Sequence, residues 1–266
     1  TKRFGEISMS DVSSVGGKNA SLGEMYSNLA SRGVPVPNGF AITCKAYEHF
    51  FAHNDLVKII SSLLDRIDSK KKNMHFIGHE VRNRILAAEM PPDLAGEIIS
   101  MYEELSGGSP KYVAVRSSAT VEDSPTHSFA GQFETFLMVY GNGDLLHYVK
   151  QCFASLFMDR AISYRMDTGY DAFSIGMSVG VQKMVRSDEG SSGVIFTLDT
   201  ESGFSDVIFL TSSHGLGELV VQGRVNPDEF YVSKPTLRTG HKPIIRRSLG
   251  SKKEKMIYTH GRSELV

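Results

Sequence analysis

The chain has 266 residues, of which 41% are hydrophobic and 22% are charged, as in ordinary globular proteins. Its 29 basic and 30 acidic residues leave a formal net charge of −1, which excludes an overall basic field that would recruit nucleic acid. Because there are only two cysteines, no apolar run of about 18 residues and no signal-peptide pattern, we expect a cytoplasmic protein without disulfides or membrane segments.

Helical periodicity dominates the first part of the chain. Apolar residues at helical spacing predict helices over residues 18–32, 46–67, 80–89, 92–105 and 145–164. Gly33, Pro35 and Pro37 end the first of these patterns. The lysine run at 70–72 is typical of a solvated loop.

Strand patterns dominate the second part. They predict strands over residues 112–115, 136–139, 177–185, 194–198, 207–210, 230–232, 244–245 and 256–258. We expect 194–198 and 207–210 to be interior strands and the three short ones after them to be edge strands. The mixture predicts the α+β class, with a helix-rich part at 1–110 and a sheet-rich part at 111–266.

Two glycines precede Lys18 at the predicted start of the first helix. This is not a P-loop, because Asn19 stands where the pattern needs Ser or Thr after the lysine. Free N–H groups and the helix dipole still favour an anion at such a helix start. The alternative is an N-terminal turn that carries a solvent-exposed lysine.

Arg116 ends the apolar strand predicted at 112–115 and leads into a loop of small and polar residues that includes Gly131. A guanidinium beside main-chain N–H groups is typical of a phosphate site. Two alternatives stay open. Arg116 would close an internal ion pair with Glu122 or Asp123, or the Gly131 segment would be a plain hairpin turn.

Two later segments suggest contacts to a nucleoside. Main-chain groups near Gln182 could read adenine while Met184 or Val185 packs on the base, although core packing alone also explains a methionine here. Glu218 follows a Gly-Leu-Gly turn and could bind ribose hydroxyls, or be a solvated glutamate at a helix start. Val220 stands where a Rossmann fingerprint needs its third glycine, so that fold is excluded.

The nine histidines show no metal-ligand spacing. His79-Glu80 lacks the second histidine of a zincin motif, because Asn83 occupies its place. His214, next to the glycine turn, is expected to have a packing or substrate-side role rather than a catalytic one.

Together these stretches resemble the N-terminal nucleotide-binding part of the phosphoenolpyruvate synthase (pyruvate, water dikinase) family of PEP-utilising enzymes. The similarity extends almost from end to end, over residues 15–25, 36–41, 114–120, 128–132, 154–157, 160–165, 199–203, 215–218 and 226–231. Pyruvate phosphate dikinases and rifampicin phosphotransferases share the general pattern. Residues 234–237 and 251–253 look most like the synthases.

The resemblance implies an ATP-grasp fold, in which two α+β subdomains hold ATP, here truncated at its C-terminal side. Lys18 and Arg116 match the family's phosphate-binding and catalytic lysine and arginine, which would neutralise charge on the transferred phosphoryl group. The remaining matches are Gly131, Gln132 and Thr135 in the glycine-rich phosphate loop, Gln182, Met184 and Val185 under adenine, and Glu218 at the ribose.

The resemblance also implies a reaction and its partners. ATP, pyruvate and water would give AMP, phosphoenolpyruvate and phosphate through a phosphohistidine, carried by another domain of the same full-length chain. Pyruvate would bind at a distant domain, and the Mg²⁺ ligands are expected beyond the end of this chain. We therefore expect the fragment alone to be inactive. The alternatives are the ATP module of a rifampicin phosphotransferase or dikinase relative, and a non-catalytic nucleotide-sensing module.

Overall fold

The structure, a computed structural model, describes residues 1–120, 123–124, 127–128, 134–169, 171, 173–259 and 262–266, with the main chain only at 123–124, 127–128 and 262. These residues divide into two compact units, Thr1–Met184 and Val185–Val266. No helix in the described part of the chain is both long and apolar enough to cross a membrane.

The first unit contains a sheet and the longer helices. Its helices are α1 (Val12–Leu29), α2 (Cys44–His53), α3 (Leu56–Leu64), α4 (Met74–Ala87), α5 (Pro92–Ser106), α6 (Asn142–Ser155) and α7 (Asp159–Thr168). Its strands are β1 (Lys2–Arg3), β2 (Gly39–Ile42), β3 (Val113–Ala119), β4 (Asp123–Ser124), β5 (His127–Ser128), β6 (Thr135–Val139) and β7 (Met177–Lys183).

Five of these strands form one antiparallel sheet in the order β1-β2-β7-β3-β6. Strand side chains alternate between the two faces, so the sheet separates two apolar clusters. A small cluster around Phe4, Val15 and Ala20 lies with α1 on one face. The other face carries the main core, where α6 contributes Phe153 and α2 contributes Phe50, both fully buried.

The second unit is built on a smaller sheet. Its elements are β8 (Ser191–Phe196), β9 (Val207–His214), α8 (Glu218–Val221), β10 (Asp228–Ser233), α9 (Lys234–Arg238), β11 (Ile244–Ser248), β12 (Met256–Thr259) and β13 (Arg262–Leu265). Four strands form an antiparallel sheet in the order β11-β10-β9-β8, while β12 pairs with β13. Among its described residues, the buried hydrophobic side chains are Val207, Leu216 and Leu219.

Two predicted helices are each interrupted in the structure. The pattern at 46–67 is divided because Asp55 has φ 51°, a left-handed conformation that cannot continue a helix, and α3 begins after it. The pattern at 145–164 is divided because Met158 is extended, with φ −66° and ψ 148°. Helix α1 is kinked at Gly16, which is non-helical with φ 74° and ψ 164°, so the helical stretch that contains Lys18 begins just after Gly16, close to its predicted start, and ends at Leu29.

Three strand predictions also need correction. Strand β3 does not end before Arg116 but continues to Ala119, because it is hydrogen-bonded to β7 along its whole length. Strand β8 is an edge strand rather than an interior one, and β10 is an interior strand rather than an edge. The compact units divide after Met184, and β3, β6 and β7 share a sheet with β2, so this division is a different one from the change at residue 110 from helix-rich to sheet-rich sequence.

Candidate functional site

The start of α1 is fixed against the end of β3. Gly16 has φ 74° and ψ 164°, and a side chain there would place its Cβ 2.2 Å from the carbonyl oxygen of Ser118. The Asn19 N–H donates to Ser118 Oγ at 3.2 Å, and Asn19 Nδ2 donates to Ser178 Oγ at 3.0 Å. Glycine is therefore required at position 16 by both its conformation and the close contact.

This packing places Lys18 at the same end of β3. Its Nζ lies 3.5 Å from the main-chain oxygen of Ser117, and the side chain is half-buried rather than solvent-exposed. The lysine of the glycine-containing segment is thus held beside the strand that carries Arg116. The exposed-lysine alternative does not fit this burial.

Arg116 lies inside the sheet, with paired neighbours on both sides. Its Cα partner on β6 is Thr135, and its partner on β7 is Gly180. Arg116 and Thr135 are directly opposite each other, so their side chains share a face. Gln182, two residues beyond Gly180, is on that face too.

The Arg116 guanidinium has an unsatisfied group. Its Nε is buried and has no hydrogen-bond partner in the described part of the chain. A buried, unsatisfied donor costs about 1–3 kcal/mol or more when the group is charged. The predicted ion pairs with Glu122 and Asp123 involve side chains outside the described residues. An anionic ligand would satisfy this donor.

The residues after Arg116 are held by bonds that the sequence did not reveal. The N–H and Oγ of Ser117 both donate to the main-chain oxygen of Glu134, at 3.2 and 2.9 Å. On the other face of the sheet from Ser117, a Cβ on Gly180 would lie only 2.3 Å from Asn19 Oδ1, so the Asn19 side chain occupies that space. A glycine between two valines in a strand signals such a close approach and could have predicted it. Nothing in the local sequence marks Glu134.

The predicted adenine segment begins in β7, with Gln182, and continues just after it, with Met184 and Val185. The Met184 N–H donates to the Tyr112 carbonyl at 3.0 Å, so this N–H is already used within the fold. Gln182 Nε2 donates to the Pro37 carbonyl at 3.1 Å. Met184 is half-buried and Val185 is 59% exposed, which leaves both near a surface.

The structure brings together only part of the predicted set. Lys18, Arg116, Thr135 and Gln182 lie in the first unit, as does Met184. Val185 and Glu218 belong to the second unit, and Gly131 and Gln132 lie outside the described residues.

Glu218 is the first residue of α8 and is half-buried. The turn before it requires glycine, because Gly215 has φ 84° and a Cβ there would lie 2.4 Å from the Met256 carbonyl oxygen. The Gly215 carbonyl also accepts a bond from Ser192 Oγ at 2.8 Å. The turn therefore fixes the position of Glu218 within the second unit.

Asp228, in the matching segment at 226–231, has a structural role in the second unit. It accepts bonds from Lys252 Nζ and from the Gly250 N–H, and these hold the pKa of its carboxyl below the ordinary value. His214 is exposed and pairs with Ser191 across β8 and β9, so the structure assigns it no packing role. Among the described residues, no group of three His, Cys, Asp or Glu side chains could hold a metal ion.

Comparison with known proteins places these features in context. Residues 12–266 match the family described as pyruvate phosphate dikinase, AMP/ATP-binding domain. The chain is 52% identical over 260 residues to the phosphoenolpyruvate synthase of Neisseria meningitidis serogroup B, covering 96% of this chain and 33% of that protein. It is 49% identical over 267 residues to the Helicobacter pylori phosphoenolpyruvate synthase (99% and 33% covered) and 52% identical over 257 residues to that of Escherichia coli K12 (96% and 32% covered). The chain spans about a third of the length of these relatives.

Proposed function

The chain belongs to the pyruvate phosphate dikinase AMP/ATP-binding domain family, and from this premise we propose that it binds ATP and donates the phosphoryl group within a phosphoenolpyruvate synthase. The whole reaction would convert ATP, pyruvate and water to AMP, phosphoenolpyruvate and phosphate. The phosphoryl group would pass through a phosphohistidine on another domain of the full-length chain, and pyruvate would bind at a further domain. The names of the relatives favour this function over an antibiotic phosphotransferase or a nucleotide sensor.

The unsatisfied Arg116 guanidinium is the observation that carries the proposal. A phosphate oxygen is a strong acceptor for such a group, and the resulting bond is charge-assisted. Because β3 is paired on both sides, the arginine needs little rearrangement to meet its ligand. Such preorganised positive charge stabilises a phosphoryl group in transfer more in the transition state than in the ground state.

The neighbouring residues suit the same ligand. Thr135 is exposed and lies directly across from Arg116, so its hydroxyl is available to a phosphate oxygen. Lys18 would add a second positive charge from the start of α1. Gly131 and Gln132 would complete the phosphate loop.

The adenine contacts follow from the groups that the fold leaves available. Since the Met184 N–H is bonded to Tyr112, we propose that the Met184 carbonyl accepts from the exocyclic amine of adenine. The side chains of Met184 and Val185 would pack on the base, with Gln182 beside them. Glu218 would bind the ribose hydroxyls.

Magnesium fits the described residues poorly. They offer no cluster of metal ligands, so we assign no protein ligand to Mg²⁺ among them. We propose that the ligands belong to sequence that the relatives carry beyond the part matched here.

The architecture is α+β, and we propose that it is an incomplete ATP-grasp module. The four-stranded sheet of the second unit leaves large apolar side chains exposed, including Ile195, Ile244 and Ile245. Sheets normally bury at least one face against another layer. The threefold greater length of the relatives supports a covering layer from further sequence.

Calorimetry of Mg-ATP binding tests the phosphate site. We expect Arg116→Ala to weaken binding about 10- to 100-fold, since one charge-assisted hydrogen bond contributes about 1.5–3 kcal/mol. Lys18→Ala should weaken it as well. Arg84→Ala is the matched control, because the Arg84 side chain is 60% exposed on α4. This variant should bind Mg-ATP with unchanged affinity. Unchanged affinity in both Arg116→Ala and Lys18→Ala would remove these residues from the site.

An activity assay tests whether the complete reaction requires the other domains of the full-length chain. We expect the 266-residue chain to bind ATP without completing the reaction, because phosphohistidine and pyruvate sites lie elsewhere in the proposal. Pyruvate-dependent AMP formation by this chain alone would contradict it.

A further inference from the structure

A largely apolar cavity lies in the first unit, on the face of the five-stranded sheet opposite to Arg116. It has a volume of about 370 Å³ and opens between α4, β6 and the end of α6. The residues that line it are His79, Arg82, Asn83, Leu86, Glu134, Phe136, Gln151, Ala154, Ser155 and Met158. We call it the Glu134 pocket. None of the residues assigned above to ATP lines it.

Phe136 on β6 and Glu134, immediately before that strand, both line this pocket because they alternate with Thr135. Thr135 shares the Arg116 face, so the pocket lies on the other face of the sheet, which carries the main core. The two sites are therefore on opposite faces of the same sheet.

The positive charge of Arg82 is already compensated within the fold. Its Nη1 donates to the Phe157 carbonyl at 2.7 Å and to Asp159 Oδ1 at 3.0 Å. Burial raises the pKa of Asp159, but hydrogen bonds with His75 and Arg82 together lower it by more and keep it below its ordinary value. This carboxylate therefore stays charged. Arg82 is held as a wall of the pocket rather than left as an anion receptor.

The Glu134 carboxylate, in contrast, has no hydrogen bond or ion pair to any residue in the described part of the chain. It is half-buried, and its charge adds to the effect of burial in raising the pKa of the Cys152 thiol, while Lys18 acts in the opposite direction. The carboxylate is thus half-buried in the wall of a largely apolar cavity, where a cationic ligand could pair with it.

We propose that the Glu134 pocket binds a small organic ammonium ion. The carboxylate would pair with the ammonium group, and Leu86, Phe136, Ala154 and Met158 would contact its apolar body. A few convergent polar groups in a largely apolar pocket of this size are typical of small-molecule sites.

Three probes of equal chain length and different charge test this: n-pentylammonium, 1-pentanol and pentanoate. With ¹³C-methyl-labelled methionine, NMR reports Met158 in the pocket and Met9, 50% exposed, as a remote reference. We expect only pentylammonium to shift the Met158 signal saturably. Equal or tighter binding of pentanoate or pentanol would overturn the proposal.

Glu134→Gln is the decisive variant, because Ser117 uses the main-chain oxygen of Glu134 and that oxygen is retained. We expect at least a tenfold loss of pentylammonium affinity with unchanged circular dichroism. Asp144→Asn, an exposed carboxylate in the first turn of α6, is the control and should bind normally. Undiminished binding by Glu134→Gln would refute the assignment.

A ligand bound in the Glu134 pocket should also change the affinity of the chain for ATP, a consequence that rests on the proposed function. The main-chain oxygen of Glu134 accepts a hydrogen bond from Ser117, the residue next to Arg116. A ligand that moves Glu134 would therefore also move the end of β3 that carries the proposed phosphate ligand. We expect a change of about fivefold, at the lower end of typical coupling energies. An unchanged ATP affinity at saturating pentylammonium would overturn the coupling. If the chain bound no ATP at all, the proposed function would fail, and the Met158 titration would still decide the pocket.

Discussion

The two compact units differ sharply in how much apolar surface they bury. In the first, rings from several helices meet in one core, such as Phe153 within 5.3 Å of Tyr47 and 5.4 Å of Phe50, ring centre to ring centre. In the second, four strands pair into a sheet but most of their side chains stay half-exposed, and Ile195 is 64% exposed. Hydrogen bonding alone therefore defines a sheet in the second unit without giving it a deep core.

This difference bears on the proposed ATP site. Arg116 and Thr135 stand on neighbouring strands of the well-packed sheet, so their relative position is fixed by the core behind them. Glu218 begins a four-residue helix in the unit that buries little. Because burial is the main source of stability, the phosphate contacts should be rigid and the ribose contact should depend on a weaker scaffold.

The largest expected effect is a truncation in the deep core. Phe153→Ala should lower the free energy of unfolding by about 3–5 kcal/mol, as for other fully buried aromatic residues. The matched change in the second unit, Phe209→Ala, removes a half-buried ring and should lower it by only about 1 kcal/mol. Urea denaturation followed by circular dichroism measures both. Equal losses would mean that the two units are packed alike.

A smaller loss is expected from Gly16→Ala, which tests the contact between α1 and the sheet. The backbone conformation at Gly16 is essentially restricted to glycine, and the new Cβ would also clash with Ser118, so we expect a loss of about 3 kcal/mol.

Gly107→Ala is the comparison variant. Gly107 also has positive φ, at 69°, but it is in the left-handed helical region, which alanine can adopt, and nothing lies within 4 Å of its Cβ position. It should lose only about 1 kcal/mol. If both variants lost the same amount of unfolding free energy, neither the conformation of Gly16 nor its contact with Ser118 would constrain this position.

The local sequence pattern was sufficient to predict the bounds of a helix where residues that begin and end helices flank it. Helix α5 was predicted within one residue because Pro92 begins it and Gly107, in a left-handed conformation, ends it. The break at Asp55 was missed because the apolar spacing continues on both sides of it, and a single left-handed residue leaves no mark in that spacing.

The sequence proposes Arg116 as a phosphate ligand but does not reveal how the fold holds it. The prediction ended the strand that carries Arg116 too early because Ser117 and Ser118 are polar. They are buried in the sheet because bonds to Glu134 and Asn19 satisfy them, and both partners are distant in sequence. Such contacts arise only when the chain is folded, so Glu134 and its pocket could not be inferred from local pattern.

The smallest expected effect concerns a polar contact that stabilises the second unit. Asp188, buried, accepts bonds from Arg186 Nε at 2.9 Å and Nη2 at 2.7 Å, and Arg186 keeps the pKa of this carboxyl below its ordinary value of 3.8. A lowered pKa gives stability that is present above 3.8 and is lost as the pH falls below it.

Asp188→Asn should therefore lower the free energy of unfolding by about 1 kcal/mol at pH 7, where the modest size reflects the partial solvation of Arg186. In acid, the variant and the unmodified chain should be equally stable, because the Asp188 carboxylate is then protonated. Glu189→Gln is the control, because Glu189 also contacts Arg186 but is 68% exposed and should change stability by less than about 0.5 kcal/mol. Hydrogen exchange at pH 7 locates the effect: amides of β9 and β10 should exchange faster in Asp188→Asn, while those of β3 and β7 stay protected. Faster exchange in β3 and β7 would show that the two units unfold together despite their unequal cores.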